Sequence, residues 1–161
     1  MTTRCRIGIE NKESGMNGSI YCHSDGCPEH TGVYLAKYYS KPNQMAQLLQ
    51  LGDISRLGKG YTEELSKYSW ESIIDDDNIK YEISRDVTRA YKDRGDGTKI
   101  EMAKLDNRKQ LINYTEECDG DYVYLNVEKE NGERAWFYYE IGGKDEWVEL
   151  TEDYVKSLEE K

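Results

Sequence analysis

Two runs of alternating side chains meet across the dipeptide Asn131-Gly132. Over residues 122–127, Val123, Leu125 and Val127 point one way. Over residues 134–141, Trp136 and Tyr138 fall on one face and Phe137, Tyr139 and Ile141 on the other. Period two is the pattern of a strand, and Asn-Gly readily adopts the positive φ angles of a tight hairpin turn. Gly142-Gly143 makes a second turn into a third strand over residues 146–150. The C-terminal third therefore reads as an antiparallel meander. Thr151 and Asp153 then open a short helix with Tyr154, Val155 and Leu158 on its apolar side.

The N-terminus repeats the theme. Cys5, Ile7 and Ile9 alternate with polar or small residues, as do Ile20 and Cys22, with a polar loop at residues 11–18 between them. This predicts a second hairpin. Asp25-Gly26 turns the chain into a helix over residues 30–40, which Pro42 ends. Asn43 is placed to cap another helix, with Met45, Leu48, Leu49 and Leu51 buried and Gly52 as its C-terminal stop. Residues 53–57 read as one more helical turn, and Thr62 as the cap of a short helix over 63–68. Trp70, Ile73 and Ile74 read as buried. Residues 81–83 and 87–91 read as short strands, and 109–114 fits either helix or strand. With no repeat and only two prolines, the chain reads as one α+β domain over residues 1–161. It joins an N-terminal hairpin and helices (about 1–60) to an acidic C-terminal sheet (about 116–161).

Charge narrows the function classes. Residues 1–60 carry seven basic and five acidic side chains, whereas residues 116–161 carry five basic and fifteen acidic ones. The formal net charge of -10 thus sits at the C-terminal end. That argues against direct nucleic-acid binding and for either a solvated surface or a face turned to a basic partner. No apolar run is long enough to span a membrane, and no signal-peptide core opens the chain. Four cysteines in 161 residues do not make a disulfide scaffold.

Candidate chemistry is sparse. Cys22, His23, Cys27 and His30 are zinc-type ligands, but the spacing fits no standard knuckle, and Cys22 and His23, adjacent on a strand, face opposite ways. Cys22, His23 and Asp25 form the one nucleophile-and-base cluster worth testing, with Cys22 otherwise a small core residue. Asp75-Asp76-Asp77 reads as a solvated loop. No phosphate-binding or nucleophile-elbow motif is present, so no catalytic or metal-binding set and no cofactor is assigned. Two candidate binding surfaces remain. In the first, a small ligand such as a nucleotide meets Asp25, an aromatic at Tyr91 and a cation at Arg94. In the second, a protein meets Glu116, Glu117, Asp119, Asp121, Tyr122, Tyr124, Trp136, Tyr138 and Trp147, an aromatic face rimmed by carboxylates.

Several segments carry a resemblance. These are Arg4-Cys5-Arg6-Ile7-Gly8-Ile9-Glu10, Ser19-Ile20-Tyr21-Cys22-His23-Ser24-Asp25-Gly26, residues 48–58 (LLQLGDISRLG) and residues 90–96 (AYKDRGD). Together they resemble a family of small proteins from bacteriophages and related mobile elements of bacteria. Ser24, Cys27 and His30 depart from the Trp, Tyr and Gly of that pattern. The resemblance implies a phage accessory protein in the host bacterial cytoplasm. Small acidic proteins of that kind often inhibit host defence proteins, CRISPR effector nucleases among them. The expected function is therefore a non-catalytic, anti-CRISPR-like inhibitor whose acidic aromatic surface fills a basic nucleic-acid groove. The alternative is a protein that binds or sequesters a nucleotide signal.

Overall fold

The computed structural model describes residues 2–11, 15–67, 86–93 and 107–160. Trp70, Ile73, Ile74, the Asp75–Asp77 loop, the strand expected at 81–83 and Arg94 lie outside them. The architecture is α+β. A seven-stranded mixed sheet runs in the order β4-β3-β2-β1-β5-β6-β7. Its strands are β1 Cys5–Asn11, β2 Gly15–Ser24, β3 Ile54–Arg56, β4 Arg89–Ala90, β5 Tyr122–Glu128, β6 Arg134–Glu140 and β7 Trp147–Glu149. Its helices are α1 Val33–Tyr38, α2 Pro42–Gln50, α3 Glu63–Ser66, α4 Arg108–Glu117 and α5 Glu152–Glu159.

Both expected hairpins form. β1 and β2 pair antiparallel with Cys5 opposite Cys22 and Ile7 opposite Ile20. β5 and β6 pair with Tyr124 opposite Tyr138, and the turn between them places Gly132 at φ 87°. The two hairpins are joined by parallel pairing of β1 with β5, where Cys5 lies beside Tyr122 and Ile7 beside Tyr124. One sheet therefore runs through both ends of the chain.

The central strands are covered on both sides. On one face Cys5, Ile7, Ile20, Cys22, Ile54, Tyr124 and Trp136 pack under α1, α2 and α5. On the other, Leu111 of α4 sits on Val123 and Leu125, with Tyr139, Ile141 and Trp147 partly buried around them. Four consecutive residues of β5, from Val123 to Asn126, are consequently buried, the signature of a strand with helices on both faces.

Two helices open on side-chain caps, whereas Thr62, expected to cap α3, makes no such bond. Asn107 accepts a hydrogen bond from the Gln110 N–H at 2.9 Å, and Thr151 accepts one from the Tyr154 N–H at 3.2 Å. The region expected over residues 30–40 is a π-helical turn, Pro28–Gly32, that runs into α1. Pro42 opens α2 at its first turn, and Asn43 lies inside the helix instead of capping it. Proline suits that place because its missing N–H has no helical acceptor there. Gly52, at φ 75°, ends the helix as expected.

Residues 53–57 are not a helical turn. Ile54 pairs with Cys22 on β2 and with Ala90 on β4. Its burial in the sheet core outweighs the local helical signal. The strand expected at 87–91 shortens to Arg89–Ala90, because Tyr91 turns into a 3-10 helix. Residues 109–114 belong to α4.

Arginines tie the parallel seam. Arg134 on β6 donates to Asn126 Oδ1 at 2.6 Å, to Asn11 Oδ1 at 2.9 Å and to the Glu10 carbonyl at 2.6 Å. Arg108 on α4 grips both carboxylate oxygens of Glu10 at 2.6 Å. Arg6 is buried, bonded to Ser19 and stacked 4.5 Å from the Tyr114 ring centre. Among the described residues, no helix is long and apolar enough to cross a membrane.

Candidate functional site

The nine residues expected to form a protein-binding face divide into four groups. Tyr124 and Trp136 are core residues, 0% and 4% exposed. The Tyr124 hydroxyl donates to the Gly26 carbonyl at 2.7 Å, and the Trp136 indole N–H donates to the Tyr39 carbonyl at 3.0 Å. Neither can meet a partner. The reason is the helical layer of α1, α2 and α5, which covers the face that a lone meander would leave in water. Trp147 lies on the opposite side of the sheet. Its ring packs 5.3 Å from that of Tyr139 and lies under the Arg108 guanidinium at 5.6 Å. The expected single aromatic face is thus split by the sheet.

Tyr122 and Tyr138 are half-buried and stay together. Their ring centres are 6.1 Å apart, and Tyr138 lies 6.1 Å from Tyr154 of α5. A short ladder of rings therefore runs from β5 across β6 to the last helix. The Tyr138 and Tyr154 hydroxyls share a 2.6 Å hydrogen bond. Burial, the Tyr154 hydroxyl and the nearby Glu140 carboxylate push the Tyr138 hydroxyl well above its ordinary pKa. Burial, then Glu140 and Glu29, push Tyr122 the same way. Both phenols stay neutral, so the site's charge is that of its carboxylates.

Beside this ladder, the β6–β7 turn and α5 enclose a cleft of about 470 Å³. Tyr138, Val148 and Tyr154 line it together with Glu140, Lys144 and Glu146. The pairing of Tyr138 with Val148 puts Glu140 and Glu146 on the same side of the sheet as the tyrosine ladder. Glu140, Lys144 and Glu146 are exposed, and among the described residues their side chains make no ion pair. Sequence reasoning missed Tyr154, Glu140 and Glu146 as site residues. Their alternation and charge were visible, but their convergence depends on α5 folding back over the sheet.

The expected acidic residues lie at one end of the C-terminal unit. Glu116 and Glu117 are exposed in the last turn of α4. Carboxylates there oppose the helix dipole, so helix stability does not account for them. Asp119 follows at φ 58°, and Asp121 accepts the Arg4 N–H at 3.1 Å.

Of the expected ligand pocket, Asp25 and Tyr91 lie among the described residues. Asp25, at φ 55°, is paired with Arg56 at 2.5 Å. The Tyr91 N–H donates to the Asp53 carbonyl at 3.1 Å. Arg94 lies outside the described residues.

The cysteine and histidine cluster is likewise occupied structurally. The His23 ring bonds the Tyr21 hydroxyl at 2.9 Å, and the His30 ring bonds the Leu57 carbonyl at 2.8 Å. The Cys22 thiol donates to the Ser24 carbonyl at 3.4 Å, and burial raises the Cys27 thiol. No metal-sized group of three ligands occurs among the described residues. No family model matches the chain, and no curated protein or solved structure matches it either.

Proposed function

We propose that this chain is a non-catalytic protein-binding module whose acidic C-terminal unit occupies a basic groove of a partner. The resemblance to phage proteins makes that partner a host defence protein, a CRISPR effector nuclease among the candidates, met in the host bacterial cytoplasm. One observation carries the reading: the unpaired carboxylates Glu140 and Glu146 stand beside the half-buried Tyr138 and Tyr154, on a unit with ten more acidic than basic residues. A carboxylate array on an ordered aromatic floor presents charge in a fixed geometry, as a phosphate backbone does.

The test is affinity capture of the tagged full-length protein from bacterial lysate at low salt. The expected result is a nucleic-acid-binding protein retained at low salt and released as salt rises, because exposed charge pairs are screened. Retention that ignores salt, or a protein recovered alone, would overturn the reading.

A further inference from the structure

We propose that the cleft between the β6–β7 turn and α5 receives an arginine side chain of the partner, stacked on Tyr138 or Tyr154 and bound by Glu140 and Glu146. This assignment rests on the protein-binding reading above and names the contact within it.

The lining sets the chemistry. At about 470 Å³ the cleft has room for one long side chain and its neighbours, though it is too open to enclose a small molecule fully. Its floor is aromatic and aliphatic, from Tyr138, Tyr154 and Val148. Its rim holds two carboxylates with no internal cation partner, while Lys144 makes no ion pair with either. Near this rim Asp145, Glu152 and Asp153 add negative charge in the adjoining turn and at the start of α5. Asp145 is engaged by the Tyr139 hydroxyl and Glu152 by Lys156, and of these carboxylates Glu140 and Glu146 are the ones that line the cleft.

A planar cation fits this combination better than a point charge. Guanidinium stacks on an aromatic face and donates in a fork to a carboxylate, and it desolvates more readily than an ammonium. The Tyr138–Tyr154 hydrogen bond fixes both rings in place before binding, so little side-chain freedom is lost on the protein's side. Arginine is also the residue that basic nucleic-acid grooves present most consistently.

The test uses the full-length chain and three peptides of equal length, oligoarginine, oligolysine and a neutral control, titrated by NMR and calorimetry. Shifts from oligoarginine should centre on Tyr138, Val148 and Tyr154. Oligolysine should bind several-fold more weakly. Glu140→Gln with Glu146→Gln should weaken oligoarginine binding by about tenfold, and Glu63→Gln with Glu64→Gln, which removes equal charge from exposed positions on α3 outside the acidic unit, by less than about twofold. Tyr154→Phe keeps the ring and should retain the arginine preference. Equal losses in the two double variants, equal affinity for the two basic peptides, or no binding would overturn the assignment. Salt-sensitive capture that survives in the Glu140→Gln, Glu146→Gln protein would sink the arginine cleft and leave the acidic-surface reading standing. Capture of nothing by the parent chain would remove that reading as well.

Discussion

The seam that joins the two hairpins and the rim of the C-terminal cleft handle charge in opposite ways. Along the seam, three arginines are committed to the fold. Arg6 is buried against Ser19 and Tyr114, Arg108 holds Glu10, and Arg134 spans Asn126, Asn11 and the Glu10 carbonyl. At the cleft, Glu140 and Glu146 stand in solvent with no such commitment. Within the C-terminal unit Lys129 pairs with Glu149 and Lys156 with Glu152, while among the described residues Lys144 makes no ion pair. Two exposed carboxylates without an ion pair thus stand where the aromatic ladder emerges. Charge at the seam is paired and directional, whereas the carboxylates at the rim are unpaired.

If that contrast is right, removing a seam arginine costs folding stability, and removing a rim carboxylate does not. Arg134→Ala should have the largest effect. It strips partners from the buried Asn126 and from the end of β1, a loss of about 3 kcal/mol, read as a lowered midpoint in urea unfolding. A rim variant with a comparable loss would break the comparison. Tyr124→Phe comes next. It keeps the ring but leaves the buried Gly26 carbonyl without its 2.7 Å donor, for a cost of about 1–2 kcal/mol.

The buried Asp53 sharpens the contrast through pH. Burial raises its pKa against the opposing pull of the Tyr21 N–H and Arg6. The folded value lies above the unfolded one, so the folded state binds the proton more tightly. Ionised Asp53 therefore burdens the fold above its folded pKa, and that burden is relieved as pH falls through that value. Asp53→Asn keeps an acceptor for the Tyr21 N–H and should raise the melting temperature at neutral pH. Its advantage should vanish in acid, and an advantage that instead grew with falling pH would contradict the assignment. The smallest effect is expected from Glu116→Gln with Glu117→Gln. Relief of charge opposing the α4 dipole should raise the melting temperature slightly, by about 1–2 °C, as scanning calorimetry would show.

What the sequence made legible follows the range of the interactions involved. The turns at Gly132 and Gly52 and the cap at Thr151 are set by neighbours, and each stands where the local pattern puts it. The β1–β5 pairing joins residues more than a hundred positions apart, and no local signal announces it. That pairing makes β5 central, and with α4 on one side and α1, α2 and α5 on the other it buries Tyr124. Alternation tells which residues share a face, but not whether that face is dry. Trp136 and Tyr138 share one, and only the position of α5 leaves Tyr138 at its edge. Ile54 shows the same limit: its neighbours suggest helix, while its partners Cys22 and Ala90 make it a strand. The acidic character of the site was plain in composition. Its cleft, built from Glu140, Glu146 and Tyr154, exists only once β7 and α5 have returned to β6.

The most direct measurement is a competition. The captured partner would be loaded with its nucleic acid and titrated with this protein at constant low salt. The account predicts mutual exclusion: nucleic acid is displaced, and the apparent Kd for the protein rises in proportion to the nucleic acid present. A ternary complex, with the protein bound and the nucleic acid still in its groove, would contradict it.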